Sequence, residues 1–339
     1  MLVCRTPFRI SFFGGGTDYP VWYNEHGGAV VNTTIDKYCY VTCRNLPPFF
    51  DFNYRIRYYF KEECTTIEEI KHNSVRECLR FLDYRHGIEM IHTADLPAQS
   101  GLGSSSTFTV CLLHALYTLK DYMPTKRELA RNAIRIEQEM IGEAVGSQDQ
   151  TAAAFGGLNR IDFGGPQEIR VSALVMSEER YSSLQDHLLL FFTGFSRNAH
   201  EVAREQIKKT LDKKIELTEM MELVDEAHKI IVNNIKPIED FGRLLHEQWM
   251  IKRSLTKLIS NDQIDAIYET GRKSGAIGGK LCGAGNGGFM IFFVKPEHQP
   301  QVKKALCDLL EVPFFFENLG SQIIYYSRDQ KYQLDKCSA

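Results

Sequence analysis

No run of about 18 uninterrupted apolar residues occurs in the 339-residue sequence, which excludes an ordinary membrane-spanning helix. The start, Met1-Leu2-Val3-Cys4-Arg5-Thr6-Pro7, lacks the apolar core of a secretory signal, so a cytoplasmic protein is expected. An excess of either charge is missing too. The net charge of −3 argues against a general binder of nucleic acid or of an anionic membrane. The nine cysteines follow no metal pattern. Cys39 and Cys43 form one C-x3-C pair without a second at zinc spacing, so all are read as free thiols in a reducing compartment. The ten histidines form no ligand pattern either.

What is present is a globular composition, 43% hydrophobic and 24% charged. The length suits two domains, and the composition shifts near Arg180, so domains of 1–180 and 181–339 are expected. Strands are predicted over Leu2–Phe13, Ala29–Ile35, Tyr38–Arg44, Asp51–Phe60, Gly87–Ala94, His187–Phe192, Gly288–Val294, Val312–Phe316 and Gln322–Tyr326, with a short one after Gly156-Gly157. Helical spacing is read over Thr66–Tyr84, from Ser104 onward, and over Thr125–Ile141 with Thr125 as N-cap and Glu128 completing a capping box. It returns within Ser196–Asn233, Phe241–Ile259, Asp262–Ser274 and Pro296–Leu310.

Three glycine-rich segments stand out. Pro97-Ala98-Gln99-Ser100-Gly101-Leu102-Gly103-Ser104-Ser105-Ser106 lies between a strand and a helix. Its glycines would let backbone N–H groups reach phosphate oxygens, and the helix that follows turns its positive end to the same place. The hydroxyls of Ser104, Ser105 and Ser106 could bind phosphate or a magnesium ion; a Gly/Ser turn capping a helix has the same composition. No Lys follows the second glycine, so this is not a Walker A loop, and G-x-G-x-x-G is absent, which counts against a dinucleotide-dependent oxidoreductase. Gly283-Ala284-Gly285-Asn286-Gly287-Gly288 separates a helix from a strand and suits close backbone packing, a polar approach or a tight turn. Arg9–Tyr19 carries Gly14-Gly15-Gly16-Thr17-Asp18, where a strand delivers Thr17 and Asp18 to a flexible turn that could hold sugar hydroxyls or simply be capped.

Taken together and in their order, the three segments resemble the signature set of the GHMP kinases, the family of galactokinase, homoserine kinase, mevalonate kinase and phosphomevalonate kinase. Pro7–Asp18, Pro97–Ser106 and Lys280–Gly288 look like the first, second and third motifs, and the resemblance spans essentially the whole chain. It implies an α+β, two-domain fold: a ribosomal-protein-S5-domain-2-like N-terminal part that binds ATP and a ferredoxin-like C-terminal part. It also implies ATP phosphates held by Pro97, Ser100, Gly101, Leu102, Gly103, Ser104, Ser105 and Ser106. Glu137 precedes Asp149 by twelve positions in Glu137–Gln150, which is similar to the galactokinase segment around the metal-binding Glu and the catalytic Asp. Glu137 would then hold Mg2+ with Ser105, and Asp149 would take the proton of the acceptor hydroxyl as the phosphoryl bond forms. Arg9 would lie beside Asp149 and offset negative charge in the transition state.

The run Gly14–Pro20, with Gly27–Asn32 and Thr34–Tyr38, looks most like the D-glycero-D-manno-heptose 7-phosphate kinases, which act at the anomeric O1 in making nucleotide-activated heptoses for bacterial surface polysaccharide. Galactokinases usually carry Gly-Glu-His where Gly14-Gly15-Gly16 stands here. A small sugar phosphate is therefore the expected partner of a monomer or homodimer, with Gly16, Thr17, Asp18, Asp149 and Gly285 around it and Arg197, in Thr193–Arg197, on its phosphate. Trp249 and Lys252 share a helix face and could line the same pocket or the core. Other readings are a fucokinase- or galactokinase-like enzyme, or a non-catalytic sugar- or nucleotide-binding member of the fold.

Overall fold

The computed structural model describes residues 1–165, 169–194 and 199–328. Its first strand, β1 (Leu2–Phe13), is buried along almost its whole length. A strand this apolar must be covered on both faces and both edges. β1 therefore sits inside a nine-stranded sheet whose main path runs β13-β1-β2-β5-β3-β4. The members are β2 (Gly28–Asn45), β3 (Tyr54–Arg57), β4 (Lys61–Cys64), β5 (Ile88–Ala94), β6 (Leu158–Phe163), β7 (Ile169–Ala173), β12 (Phe316–Glu317) and β13 (Gln322–Tyr326), with β6 and β12 pairing with β2, and β7 with β6. Among the described residues only β3 and β5 pair in parallel. A second, antiparallel sheet has the order β11-β8-β10-β9, from β8 (Leu188–Gly194), β9 (Ala276–Leu281), β10 (Gly288–Val294) and β11 (Leu310–Glu311).

The helices are α1 (Pro20–His26), α2 (Asn73–Phe81), α3 (Ser104–Leu119), α4 (Lys126–Arg135), α5 (Gln148–Phe155), α6 (Glu178–Asp186), α7 (Ala199–Lys209), α8 (Lys214–Val232), α9 (Glu239–Ser254), α10 (Asp262–Lys273) and α11 (Gln299–Ala305). Nearly every residue of α3 is buried, because it packs on β1 and β2 while α2, α4 and α5 cover its other sides. Helices α8 and α9 link the two sheets: α8 packs on β1 and β2, and α9 on β1, β9 and β10. Phe241 of α9 meets Phe12 and Phe13 edge-on at 5.3 and 5.1 Å and lies 5.8 Å from Phe293 of β10. Such contacts add about 0.5–1.5 kcal/mol each beyond the area they bury, and they give the two sheets one continuous core.

Several elements differ from their sequence patterns for local reasons. The two strands expected over Ala29–Ile35 and Tyr38–Arg44 are one, β2, because the polar Asp36-Lys37 step between them is held in line. Asp36 Oδ1 accepts from Phe315 N at 2.8 Å and from Lys37 Nζ at 2.9 Å. The helical pattern over Thr66–Tyr84 is broken: Thr66 and Glu69 close a capping box on a short 3-10 turn, and the Glu62 carboxylate accepts from the N–H groups of Lys71 and His72 before α2 begins. Asp51–Phe60 yields only β3, with β4 following in a hairpin. At Thr125 the side chain accepts from Glu128 N, as expected of the cap, while the Glu128 carboxylate turns to the Tyr122 hydroxyl.

The C-terminal segment departs furthest from a cut at Arg180. Residues Phe316–Tyr326 leave the second sheet and return to the first, where β12 pairs with β2 and β13 with the outer edge of β1. Ser321 Oγ accepts from Thr6 Oγ1 at 2.8 Å and lies 2.9 Å from His114 Nδ1, and Tyr38 Oη donates to Glu317. Without this return the edge of β1 would be an unpaired row of amides and carbonyls over an apolar core. A chain ending at Pro313 is therefore expected to lose cooperative unfolding or to melt more than about 10 °C lower, read by circular dichroism; an unchanged melt would remove β12 and β13 from the structural core.

Candidate active site

The pocket lies where β1 ends, at the seam between the sheets. It is lined by Arg9, Ser11, Gly15, Gly16 and Asp18 from the first glycine segment, Gly101 and Gly103–Ser106 from the second, and Gly283 and Ala284 from the third. Gly146, Gln148 and Asp149 complete one wall, and Lys252 and Lys280 another.

Two of the loops touch backbone to backbone. A β-carbon on Gly283 would stand 2.5 Å from Gly101 Cα, and one on Gly101 would stand 2.4 Å from the Cys282 carbonyl. Both residues have positive φ, +83° at Gly101 and +77° at Gly283. Any side chain at either would force the loops apart. The glycines of the second and third motifs thus serve each other as much as a ligand. Next, α3 starts at Ser104 and presents its N-terminal N–H groups to the pocket, the electropositive end of a 16-residue helix.

Asp149 stands in the first turn of α5. Arg9 Nε donates to Asp149 Oδ1 and Arg9 Nη2 to Oδ2, both at 2.8 Å, while Nη1 donates to the Gly101 carbonyl at 2.8 Å. Arg9 is 4% exposed and the Asp149 side chain 23%, so the bidentate pair is fixed from the protein side and open from the pocket side. Asp18 Oδ1 accepts from Gly16 N at 2.8 Å, and a β-carbon on Gly146 would strike its other oxygen at 1.8 Å. Burial raises the Asp18 carboxyl above its ordinary value, against the opposing Gly16 N–H bond. Lys252 Nζ donates to Gly15 O at 3.0 Å and Gln206 Oε1 at 2.9 Å; Lys280 Nζ donates to Ser11 O at 2.7 Å. Burial first, then mutual or neighbouring positive charge, lowers Lys252 to about 7 and Lys280 to about 8.

Glu137 lies deeper. Helix α4 widens into a π-helical turn over Ile136–Ile141, which carries Glu137 inward beneath the start of α3. Ser106 Oγ donates to Glu137 Oε2 at 2.7 Å and Gln150 Nε2 donates to the same oxygen, while Oε1 has no partner among the described residues. Burial pushes this carboxyl up to about 7. The hydroxyl paired with Glu137 is that of Ser106, which is 2% exposed; Ser105, the expected partner, is exposed to the pocket instead. Among the described residues no three His, Cys, Asp or Glu side chains converge on one point. A hard cation here would need hydroxyl and phosphate oxygens besides one carboxylate, and an orphaned carboxylate oxygen beside serine hydroxyls fits that demand.

Other expected residues are placed differently. Thr17 donates to Gly14 O and Ala29 O and accepts from Ala29 N, so its hydroxyl braces the turn and does not face the pocket. Pro97 and Ser100 bond each other, Pro97 O accepting from Ser100 Oγ at 2.7 Å, and Leu102 is fully buried. Gly285 packs on the backbone of Ile259, where a β-carbon would stand 2.7 Å away. Trp249 is core, whereas Lys252 on the same face reaches the pocket. Arg197 lies outside the described residues. Sequence reasoning missed Ser11, Gln148 and Lys280 as lining residues. Lys280 was within the third motif, but nothing in the pattern showed that β9 turns it inward. The eight described cysteines are all free, seven of them buried, and no helix of the described residues is long and apolar enough to cross a membrane.

With this geometry in view, likeness to known proteins becomes specific. The family model described as GHMP kinases N terminal domain matches residues 72–157, and that described as GHMP kinases C terminal matches residues 220–312. The chain is 31% identical over 322 residues to D-glycero-alpha-D-manno-heptose 7-phosphate kinase of Campylobacter jejuni, covering 89% of this chain and 92% of that one. It is 25% identical to the bifunctional fucokinase/GDP-fucose pyrophosphorylase of Arabidopsis thaliana over 85% of this chain, which spans 29% of that longer protein. Among solved structures, a D-glycero-D-manno-heptose 1-phosphate kinase from Bacteroides thetaiotaomicron superposes with a TM-score of 0.72 at 24% identity, covering 97% of this chain and all of that one. The galactose complex of Lactococcus lactis galactokinase gives a TM-score of 0.71 at 18% identity, covering 95% and 94%. These two superpositions speak to the fold.

A buried carboxyl with a raised value has a defined linkage. The stability that neutral Glu137 contributes is fully present below about 4.5 and is lost as pH rises through about 7. Glu137→Gln is therefore expected to match the native chain at about pH 4.5 and to exceed it by on the order of 3 kcal/mol at about pH 8, from urea midpoints. Magnesium should narrow that gap by stabilising the native chain alone. A gap that does not change with pH would show that Glu137 does not titrate over this range.

Proposed function

The chain belongs to the GHMP kinase family, and from that membership we propose that it transfers the γ-phosphoryl group of ATP to the anomeric O1 of D-glycero-D-manno-heptose 7-phosphate, giving the 1,7-bisphosphate. The observation that carries the chemistry is the Arg9–Asp149 pair, held bidentately and facing the glycine loop across one pocket. The name of the Campylobacter jejuni relative and the three successive glycines at Gly14-Gly15-Gly16 support the choice of sugar.

In this reading the phosphates of ATP lie against Gly101–Ser106, where the α3 N-terminus faces negative charge. The sugar lies between Asp18 and Asp149 with O1 toward Asp149. As the O1–phosphorus bond forms, the O1–H bond breaks and its proton passes to the Asp149 carboxylate. The bond from the γ-phosphorus to the bridging oxygen breaks, and its electron pair leaves with ADP. Proton removal concerted with bond formation suits a carboxylate, which is too weak a base to ionise a sugar hydroxyl beforehand. Arg9 orients the carboxylate with two N–H bonds and places its positive charge beside the transferred group. Glu137, with Ser105 or Ser106, would hold a magnesium ion, which when bound supplies charge neutralisation for the phosphates.

Asp149→Asn keeps an oxygen for Arg9 but removes the proton acceptor. It is expected to lower kcat by about 10²–10⁴-fold while KM for ATP changes little, measured with coupled ADP release. Near-native turnover by the folded variant would exclude Asp149 as the base. A substrate panel checks the acceptor: robust phosphorylation of galactose or fucose with none of the heptose 7-phosphate would remove that assignment.

A further inference from the structure

Lys252 and Lys280 are 6% and 4% exposed, and neither has a carboxylate partner within ion-pair distance among the described residues. A buried ammonium left without a counter-charge is costly, and both of these line the pocket. The mechanism above uses neither. Arg9 is already committed to Asp149. The pocket therefore presents three basic side chains against the two carboxylates Asp18 and Asp149, and an anion entering it would draw Lys252 and Lys280 toward their charged forms.

The two lysines lie toward different parts of the wall. Lys280 is bonded to the carbonyls of Ser11 and Phe12 in β1; it shares Arg9 and Asp18 as electrostatic neighbours with Lys252 and has Cys282 besides. Lys252 is bonded to Gly15 O on the turn beyond β1 and to Gln206 of α7. Those two bonds use two of its three N–H groups. Around the same turn stand two more buried polar side chains. Ser11 Oγ and Gln148 Nε2 each lie 3.5 Å from where a Gly15 β-carbon would be. Ser11 is 4% and Gln148 7% exposed and both line the pocket; Ser11 Oγ has no hydrogen-bond partner among the described residues, and the Gln148 amide turns its N–H donor, Nε2, to the corner. Gly16 is what admits Lys252 and its support: a β-carbon there would stand 2.5 Å from Gln206 Nε2 and 3.7 Å from Lys252 Nζ. Polar atoms with unused bonding capacity, a cation, and a backbone corner without side chains are what a phosphate monoester requires.

We propose that Lys252, with Ser11 and Gln148 at the Gly15–Gly16 corner, binds the phosphate that the acceptor sugar already carries and so selects a sugar phosphate over the free sugar. This deepens the reading of the chain as a sugar-phosphate kinase and rests on it. Gln206 is a positioning residue: its amide oxygen holds the ammonium at the corner. The source of the second glycine–glycine step in the first motif is then physical, because a side chain at Gly16 would displace Gln206.

The test compares heptose 7-phosphate with the matching unphosphorylated heptose, using the full chain. The native protein is expected to show a KM at least tenfold lower for the phosphorylated sugar. Lys252→Met removes a buried charge and keeps the stem volume but takes the donor from Gly15 O and Gln206 Oε1, so it is read alongside Lys252→Arg and only as protein shown to be folded by circular dichroism. It is expected to raise KM for heptose 7-phosphate at least tenfold, to leave KM for heptose and both kcat values within about threefold, and to abolish competitive inhibition of heptose turnover by inorganic phosphate. Lys252→Arg should restore part of the preference. A Lys252→Met protein that keeps the native preference, or that loses both sugars equally, overturns the proposal. Failure of the underlying reading looks different, since the native protein itself would then not turn over heptose 7-phosphate.

Discussion

The contact on which the molecule depends is the one between Gly101 and Gly283, where two loops from opposite halves of the sequence meet main chain to main chain. At that distance there is no room for a β-carbon, so the two halves are brought into register without side chains. The first loop carries the start of α3, and the second connects β9 to β10. Bringing them together therefore aligns the electropositive end of α3 with the seam between the sheets. Arg9 fastens the same place from a third direction, giving one N–H to the Gly101 carbonyl and two to Asp149.

The pocket is built by this convergence and borrows rigidity from the core behind it. Phe12 and Phe13, immediately before the Gly14 turn, are clamped against Phe241 of α9, which also packs on Phe293 of the second sheet. The turn that bears Asp18 thus leaves a strand whose end is immobilised by both sheets. The returning strand β13 does the same for the start of β1. A strand paired with β2 along its length and held at both ends is a firm base for a bidentate ion pair, and a carboxylate held in two N–H bonds loses little freedom when a hydroxyl approaches it.

Burial of charge is the recurring cost. Glu137, Asp18, Lys252 and Lys280 all sit where desolvation disfavours their ionised forms. Groups of opposite sign in and beneath one pocket, imperfectly paired with each other, leave capacity for a ligand that brings both negative phosphates and a cation. Such shifts concentrate where chemistry occurs.

Much of this was legible from residue order alone. The strand–glycine–helix pattern around Pro97–Ser106, the twelve-residue step from Glu137 to Asp149, and the three glycines before Thr17-Asp18 are local signals, and the family they resemble is the one the chain belongs to. Glycine patterns and amphipathic periods survive in sequence because backbone conformation is a near-neighbour property. Tertiary structure alone decided the rest. Periodicity could not show that Phe316–Tyr326 would cross back to β1, because strand pairing is a contact between residues more than three hundred positions apart. Nor could it show that Ser106 rather than Ser105 would turn to Glu137, since that depends on a π-helical turn in α4's continuation. Lys252, Ser11 and Gln148 come from three separate elements, and only the packing of α9 and α5 against the end of β1 makes them neighbours.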